Sequence, residues 1–299
     1  MGGPADARSQ ISQRVARSVS AWVRYQYIPA APISSPVQKF LIMVTSPSRA
    51  GWLRLLTDLV LSPRCEVCER ALRAGTPDVL CAPCVATILP PPGPLCPRCG
   101  LPTPVAAPCA TCVRRSPAFR SAKAVALYRP AEDALNPLAR AIQLLKYGSR
   151  RPIAATLARL LAEHYPFTGE ATLVPVPLHP SRLRQRGFNQ AALLAVHLGR
   201  RRRLPVVLRA LLKRHPTPAQ AALRAVDRWR NLDATFAVRD PRAVEGRRIV
   251  LIDDVLTTGA TASACARVLL DAGARRVDVY TVGRAPATDT ALEAALPGG

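Results

Sequence analysis

Eight of the nine cysteines in this chain form four Cys-x2-Cys pairs between residues 65 and 112, and this spacing constrains the fold more than any other feature. The two thiolates of one such turn can bind a single ion, and a second pair completes a tetrahedral site of four thiolates. The segments between the pairs are rich in Pro, Gly and charge and cannot form a substantial apolar core, so zinc binding would supply the folding energy. The pairs are Cys65 with Cys68, Cys81 with Cys84, Cys96 with Cys99, and Cys109 with Cys112.

This arrangement predicts two structural zinc ribbons. Sequential pairing, with the first two pairs around one ion and the last two around another, is the default, and a cross-braced pairing stays open. A disulfide scaffold is an alternative, but no secretory signal is found and Cys-x2-Cys is a poor spacing for a structural disulfide. An iron–sulfur centre is a further alternative. Because four thiolates close the coordination sphere, the two zinc ions would be structural rather than catalytic.

The charge of the chain favours polyanionic partners. Its 299 residues include 42 Lys and Arg against 19 Asp and Glu, a formal net charge of +23 that would attract nucleic acid, phosphorylated metabolites or anionic lipid. Only four of these cations are lysines, so a GC-rich genome that favours arginine is an equal explanation. The 49% apolar content excludes a wholly disordered chain. No long apolar run predicts membrane insertion, and we expect a cytoplasmic protein.

Beyond the cysteines, predicted strands alternate with predicted helices, which favours a parallel sheet of the α/β class. The predicted segments are a basic extension at 1–48 (with Met43 as an alternative start), an amphipathic helix at 49–63, the double ribbon at 64–114, an α/β domain at 115–285 and a tail at 286–299. Strands are predicted at 118–128, 171–178, 248–252 and 276–282, helices at 134–147, 152–164, 190–198 and 261–272, and helix or loop at 210–238.

One segment predicts a ligand site. A hydrophobic strand ends in Asp253 and Asp254, and a Thr/Gly loop then opens a helix. At the carboxyl end of a parallel strand such a loop faces the ligand crevice, and its amides and hydroxyls can cradle a phosphate. The acids would instead accept hydrogen bonds from vicinal sugar hydroxyls or help to hold Mg2+. A ribose 5-phosphate site is therefore predicted, with an ordinary strand–turn–helix as the alternative; the loop consists of Thr257, Thr258, Gly259, Ala260 and Thr261.

Residues 249–261 resemble the phosphoribosyl pyrophosphate (PRPP) motif of the type I phosphoribosyltransferases. The resemblance implies that the α/β domain has that family's parallel-sheet fold. It also implies that Asp253 and Asp254 contact the ribose 2′ and 3′ hydroxyls, that the threonine loop binds the 5′-phosphate, and that Mg2+ accompanies PRPP.

A second resemblance is narrower. Residues 174–190 contain PVPLH and RGFNQ and resemble the signature of the competence protein F (ComF) family. Residues 144–150 match its LKYGG segment, with Ser149 in place of a glycine, and the double ribbon also fits. The likeness covers about residues 52–284; a further stretch of its pattern is matched by Arg214, Thr217, Gln220, Arg228, Asn231 and Phe236.

Basic residues near these motifs are candidates for pyrophosphate. The loop predicted after residues 174–178 carries Arg182, Arg184 and Arg186, and arginine forks grip such oxygens bidentately. The candidates are Lys146, Arg182, Arg186 and Arg214, of which Lys146 and Arg214 are alternatively candidates for a mobile hood.

Four further features receive structural interpretations. His179 is interpreted as a structural residue, with a general base as the alternative, and Asn189 and Gln190 as helix caps. Residues 200–203, four consecutive arginines, are interpreted as a solvated basic loop, with a phosphate-backbone clamp as the alternative. Cys265 is expected to be a small buried residue.

Three functions are compatible with these residues. The family resemblance implies a PRPP-binding protein that assists the uptake of single-stranded DNA in natural transformation, beside a helicase. The second is a metabolic phosphoribosyltransferase, in which a nucleobase or amine attacks the anomeric carbon and Mg-bound pyrophosphate leaves. The third is a regulator that senses PRPP without catalysis. No pocket for an acceptor can be identified from the sequence.

Overall fold

The computed structural model describes residues 63–73, 76, 78–129, 136–148, 150–214 and 235–286. The predicted basic extension and nearly all of the amphipathic helix and of the tail lie outside these ranges. Of the residues that carry the family resemblance, Ser149, Thr217, Gln220, Arg228 and Asn231 also lie outside. The chain divides into two compact units, residues 1–81 and 82–299. The domain boundaries proposed from the sequence stay predictions.

The described helices and strands follow one another as α1 (Ala82–Ala86), α2 (Ala110–Arg115), β1 (Ser121–Leu127), α3 (Pro137–Tyr147), α4 (Ile153–Glu163), β2 (Thr172–Pro175), α5 (Pro180–Arg186), α6 (Gln190–Arg202), β3 (Leu211–Lys213), β4 (Phe236–Val238), a 3-10 turn (Pro241–Ala243), β5 (Arg248–Leu256), α7 (Ala260–Asp271) and β6 (Arg276–Arg284).

Four of these strands form a parallel sheet in the order β1-β6-β5-β2. The central strands β5 and β6 are apolar runs with most residues buried, the pattern of strands covered on both faces. Parallel neighbours need a crossover connection, and α7 supplies it between β5 and β6. The parallel α/β architecture predicted from the alternating pattern is confirmed. Cys265 on α7 is fully buried, as predicted.

β5 extends beyond its predicted end. The sequence predicts a strand that stops at Ile252, but Asp253 pairs with Thr281 and Val255 pairs with Gly283 of β6. The two acids therefore lie within the strand rather than after it. Pairing with a long neighbouring strand decided this boundary, because the local pattern of apolar residues ends at Ile252.

The prediction of helix or loop over residues 210–238 is wrong at both ends. β3 and β4 form an antiparallel pair, with Leu211 opposite Val238 and Lys213 opposite Phe236. Leu211 and Phe236 are buried in the same core cluster as β5 and α7. Burial of these side chains stabilises short strands that the local sequence does not specify.

The prediction that a loop carries the arginines after β2 is also wrong, because residues 180–186 form the helix α5. Pro180 stands at its first position, and the ring of His179 caps it by accepting a hydrogen bond from the N–H of Ser181 at 3.3 Å. Gly187 ends the helix with a φ of +73°. His179 thus has the structural role predicted for it.

Both ends of α6 bear on predictions made from the sequence. Asn189 caps it as predicted, accepting a hydrogen bond from the N–H of Ala191 at 3.0 Å, whereas Gln190 is its first, fully buried residue. The helix continues to Arg202, so three of the four consecutive arginines form its last turn rather than a loop. Positive charge at a helix C-terminus complements the helix dipole.

No helix among the described residues is long and apolar enough to cross a membrane.

Candidate functional site

The loop between β5 and α7 has the geometry of an anion-binding helix N-terminus. Gly259 caps α7 with a φ of +81°, a left-handed conformation that favours glycine. The Thr258 hydroxyl accepts a hydrogen bond from the N–H of Ala260 at 3.4 Å. Amides in the first turn of a helix lack acceptors within the helix, and the helix dipole adds partial positive charge there. The loop can therefore receive a phosphate group.

Lys146, at the end of α3, forms an ion pair with one of the two acids. Its Nζ lies 2.8 Å from Oδ1 of Asp254, which is only 8% exposed. Burial alone would lower the pKa of Lys146, but the charge of Asp254 and the hydrogen bond to it outweigh burial and raise the pKa. The lysine is therefore held as a cation against the strand. A residue predicted to meet pyrophosphate thus also neutralises one of the acids predicted to meet the ribose.

Asp253 is the second acid, and its pKa is raised above the usual range of an aspartate. Burial raises its pKa, the neighbouring Asp254 carboxylate raises it further, and the pKa reaches about 7 although Lys146 opposes the shift. Oδ1 of Asp253 accepts a hydrogen bond from the N–H of Asp254 at 2.9 Å. Near neutral pH this carboxyl group is thus divided between a neutral form that donates a hydrogen bond and a charged form that accepts from hydroxyls or binds a cation.

Lys213, on β3, is a site residue that the sequence reasoning did not single out. Burial and the charge of Arg182 lower its pKa, and the charge of Asp253 acts in the opposite direction. The residue therefore lies in the electrostatic field of both the predicted pyrophosphate arginine and the predicted ribose acid. A signal was present in the composition, because lysine is rare in a chain whose cations are almost all arginine.

Two of the remaining pyrophosphate candidates, Arg182 and Arg186, lie on α5. Because β2 pairs in parallel with β5, α5 and the phosphate loop both follow the carboxyl ends of neighbouring strands. Arg186 donates to Oε1 of Gln190 at 3.3 Å, and its guanidinium lies over the ring of Tyr147, 5.1 Å from the centroid. Arg214 is exposed and follows β3 directly. The structure thus places Lys146 and Lys213 where their charges act on Asp253, and Arg182 where its charge acts on Lys213. Arg186 is instead engaged by neighbouring side chains.

The cysteines form two groups of four, each with its sulfur atoms within 4.8 Å of one another. The Sγ atoms of Cys68 and Cys81 lie 3.5 Å apart, and those of Cys99 and Cys109 lie 3.7 Å apart. A tetrahedral zinc site with Zn–S bonds of about 2.3 Å requires about 3.8 Å between sulfurs, whereas a disulfide requires about 2.0 Å. The spacing of the sulfurs in both groups therefore fits a zinc ion and not a disulfide. The default sequential pairing is confirmed, since one group consists of Cys65, Cys68, Cys81 and Cys84 and the other of Cys96, Cys99, Cys109 and Cys112.

Backbone amides donate hydrogen bonds to cysteine sulfurs in both groups. The N–H of Cys81 donates to Sγ of Cys65 at 3.4 Å, and the N–H of Cys109 donates to Sγ of Cys96 at 3.3 Å. Burial acts to raise the pKa of Cys65, but hydrogen bonds from backbone amides outweigh it and lower the pKa to about 6. These residues fit two structural zinc ions, as predicted.

Comparisons with known proteins agree with the two groups of cysteines. A family model described as a double zinc ribbon domain matches residues 56–113. The chain is 35% identical over 250 residues to the DNA utilization protein YhgH of Escherichia coli, which covers 81% of this chain and 99% of that protein. It is 31% identical over 186 residues to competence protein F of Haemophilus influenzae, covering 59% of this chain and 78% of that protein. A solved glutamine phosphoribosylpyrophosphate amidotransferase from B. subtilis is 21% identical with a TM-score of 0.29, over 42% of this chain and 25% of that one.

Proposed function

The chain belongs to the competence protein F (ComF) family, and on that premise we propose that it binds PRPP with Mg2+ between β5 and α7 and assists the handling of single-stranded DNA during its uptake. The proposed compartment is the cytoplasm, and the proposed protein partner is a helicase of the uptake machinery.

The observation that carries the PRPP proposal is the combination of a phosphate-type loop with two acids on the same strand. Oδ1 of Asp254 lies 2.8 Å from Nζ of Lys146. Gly259 caps the N-terminus of α7 and lies three residues after the end of β5. A 5′-phosphate bound by the loop would place the ribose hydroxyls over the preceding strand, where Asp253 and Asp254 can accept their hydrogen bonds. A ligand that carries only a phosphate, or only a diol, would use either the loop or the two acids and leave the other without a contact.

The cations near the acids support the recognition of the pyrophosphate group. Arg182 and Lys213 lie close enough to influence each other's charge, and Lys146 lies against Asp254. Bound Mg2+ would neutralise part of the pyrophosphate charge. If a nucleophile attacks the anomeric carbon, these side chains would stabilise the negative charge that develops on the departing pyrophosphate.

The C-terminal turn of α6 supports the proposal of DNA binding. All four arginines of residues 200–203 are exposed, and the guanidinium of Arg202 lies 5.1 Å from the ring centroid of Tyr165. Closely spaced arginines neutralise neighbouring phosphates, which is the main source of affinity for single strands. We assign this turn as the first contact with the DNA backbone.

PRPP binding is tested by calorimetry with Mg2+ and PRPP. Asp253→Asn combined with Asp254→Asn should weaken binding at least 100-fold while the protein keeps two zinc ions. The matched control combines Asp240→Asn and Asp271→Asn, which remove two exposed charges elsewhere and should bind like the parent. Parental binding by the first double variant, or no binding by the parent, would refute the PRPP proposal. Pyrophosphate release with a panel of nucleobases and amines then separates a transferase from a sensor.

DNA binding is tested by titrating a labelled single strand at several salt concentrations. Replacing the four arginines at 200–203 by Gln should weaken binding and reduce the slope of log K against log salt by up to about 3, since each lost phosphate contact removes about 0.7. The control replaces four other exposed arginines, Arg114, Arg140, Arg239 and Arg242. Equal losses in both variants would show that only net charge matters and would contradict the assignment of α6.

A further inference from the structure

Arg284, the last residue of β6, joins the second zinc site to the phosphate loop. Its side chain is buried, with 6% of the residue exposed. On one side, Nε donates to the carbonyl oxygen of Cys99 at 2.9 Å, and Nη2 lies 3.6 Å from the Cys99 Sγ. On the other side, Nη1 donates to the carbonyl oxygens of Leu256 at 3.0 Å and Thr257 at 2.7 Å, and it also contacts the carbonyl of Ala285.

The zinc site supplies the negative charge that a buried arginine requires. Burying a guanidinium is costly unless its charge is neutralised and its N–H groups are hydrogen-bonded. Cys99 is one of the four thiolates of the second site, and four thiolates around one Zn2+ carry a net charge of −2. One edge of the Arg284 guanidinium is therefore directed at the negative charge of the site, through Cys99.

The second ribbon is a firm anchor because it packs closely on the edge of the sheet. The N–H of Ala122 on β1 donates to the carbonyl of Arg98 at 2.6 Å. Gly100 has a φ of +67°, and a Cβ built on it would lie 2.8 Å from the carbonyl oxygen of Ala122. Only glycine permits this approach of the zinc turn to β1.

The other edge of the guanidinium contacts two peptide units. One is at the end of β5, where the carbonyl of Leu256 also accepts a hydrogen bond from the N–H of Ala285 at 3.0 Å, and the other, that of Thr257, is in the loop. In a planar trans peptide the C=O and the N–H point in opposite directions. Because the carbonyls of Leu256 and Thr257 both point to Arg284, the N–H groups of Thr257 and Thr258 point away from it. The N–H of Thr258 is one of the loop amides that would meet the 5′-phosphate.

We propose that Arg284 is a positioning residue through which the second zinc site sets the conformation of the phosphate loop, so that loss of that ion weakens PRPP binding without touching a ligand-binding side chain. The inference rests on the proposed PRPP function for its affinity readout. Its structural readout, the protection of the loop amides, does not depend on that function.

The main experiment compares Arg284→Lys with the parent. Lysine keeps the charge but cannot bridge Cys99 and two carbonyls at once. We expect two zinc ions per chain, a PRPP dissociation constant raised at least tenfold, and faster hydrogen exchange in peptides that cover residues 255–261. The matched control is Arg248→Lys. Arg248 is an arginine at the opposite end of the sheet that pairs with Asp278 at 3.0 Å, and its replacement should leave both loop exchange and PRPP affinity at the parental values.

A second pair of variants tests the role of the ion. Cys109→Ser removes a ligand of the second zinc site, and Cys68→Ser removes a ligand of the first. Each should retain one zinc ion, but only Cys109→Ser should accelerate exchange over residues 255–261. This comparison decides the question even if Arg284→Lys fails to fold.

The outcomes separate this inference from the proposed function. If the parent does not bind PRPP, the proposed function fails, and the exchange data alone test the positioning role. If the parent binds PRPP but Arg284→Lys binds as tightly and protects the loop equally well, the positioning role is overturned. Equal acceleration of loop exchange in Cys109→Ser and Cys68→Ser would also overturn it.

Discussion

Replacing Lys146 by Met should reveal how much the ion pair at the site contributes to stability. The change removes the cation that lies 2.8 Å from Asp254 and leaves a chain of similar volume. Asp254 would then be a buried carboxylate beside a second acid, Asp253, with no lysine at its Oδ1.

The size of the effect follows from burial. Breaking a fully buried ion pair costs about 3–5 kcal/mol, and an exposed pair about 0–1 kcal/mol. The side chains of Lys146 and Asp254 are 22% and 11% exposed, so the pair lies between these limits. We expect a loss of about 2 kcal/mol at pH 8, where the two acids carry the most negative charge and no lysine faces them.

The loss should depend on pH in a defined direction. Two carboxyl groups without the lysine bind a proton more tightly, because the charged form of each is disfavoured by burial and by the other acid. At pH 5 Asp253 is protonated in the parent and in the variant, so only one carboxylate lacks a counter-ion. At pH 8 the parent has released this proton, whereas the variant must either retain it or hold two neighbouring negative charges. The destabilisation should therefore fall to about 1 kcal/mol at pH 5.

Urea unfolding at pH 5 and pH 8 measures both values. The control is Arg159→Met, which breaks an exposed pair with Glu163 at 2.7 Å within one helix and should change stability by less than about 0.5 kcal/mol. A loss for Lys146→Met that is equal at the two pH values, or larger at pH 5, would refute the electrostatic reasoning.

Three further predictions follow from the same groups. The folded-state pKa of Asp253 is raised to about 7. The stability that this residue contributes is therefore complete below its unfolded pKa and is lost as the pH rises through about 7. The free energy of unfolding measured from pH 5 to 8 should show this decline in the parent and not in Asp253→Asn. Gly259→Ala and Gly246→Ala both place a side chain at positive φ and should each cost about 1–2 kcal/mol, but calorimetry should show weaker PRPP binding only for Gly259→Ala. Removing both zinc ions with a chelator should expose the cysteine-rich segment to protease, and unchanged cleavage there would contradict a structural role for the ions.

The zinc ribbons are the part of the fold that the sequence predicts best. Four Cys-x2-Cys pairs specify a ligand set because the chemistry of a tetrahedral ion is local to each turn. The pairing of the turns needed the structure, since Cys65 meets Cys81 and Cys84 only after the chain has folded back. The docking of Gly100 against β1 has no signal in the spacing of the cysteines.

The phosphate loop and its acids are also visible in the sequence as a strand, two carboxylates and a Thr/Gly turn. Lys213 was not predicted as part of the site, because its place beside Arg182 and Asp253 depends on the pairing of β3 with β4. The helix that carries Arg182 was predicted as a loop, because a Pro start and a Gly end bound only seven residues.

The sequence by itself determined the metal-binding turns, the alternation that gives a parallel sheet, and the loop that can hold a phosphate, because each depends on residues close together in the chain. The tertiary structure alone decided which charges face each other. Lys146 reaches Asp254, and Arg284 reaches both Cys99 and Thr257, over separations that no local pattern encodes. The physical reason is that burial makes these distant pairs strong, and burial exists only once the sheet, the helices and the second ribbon have packed together.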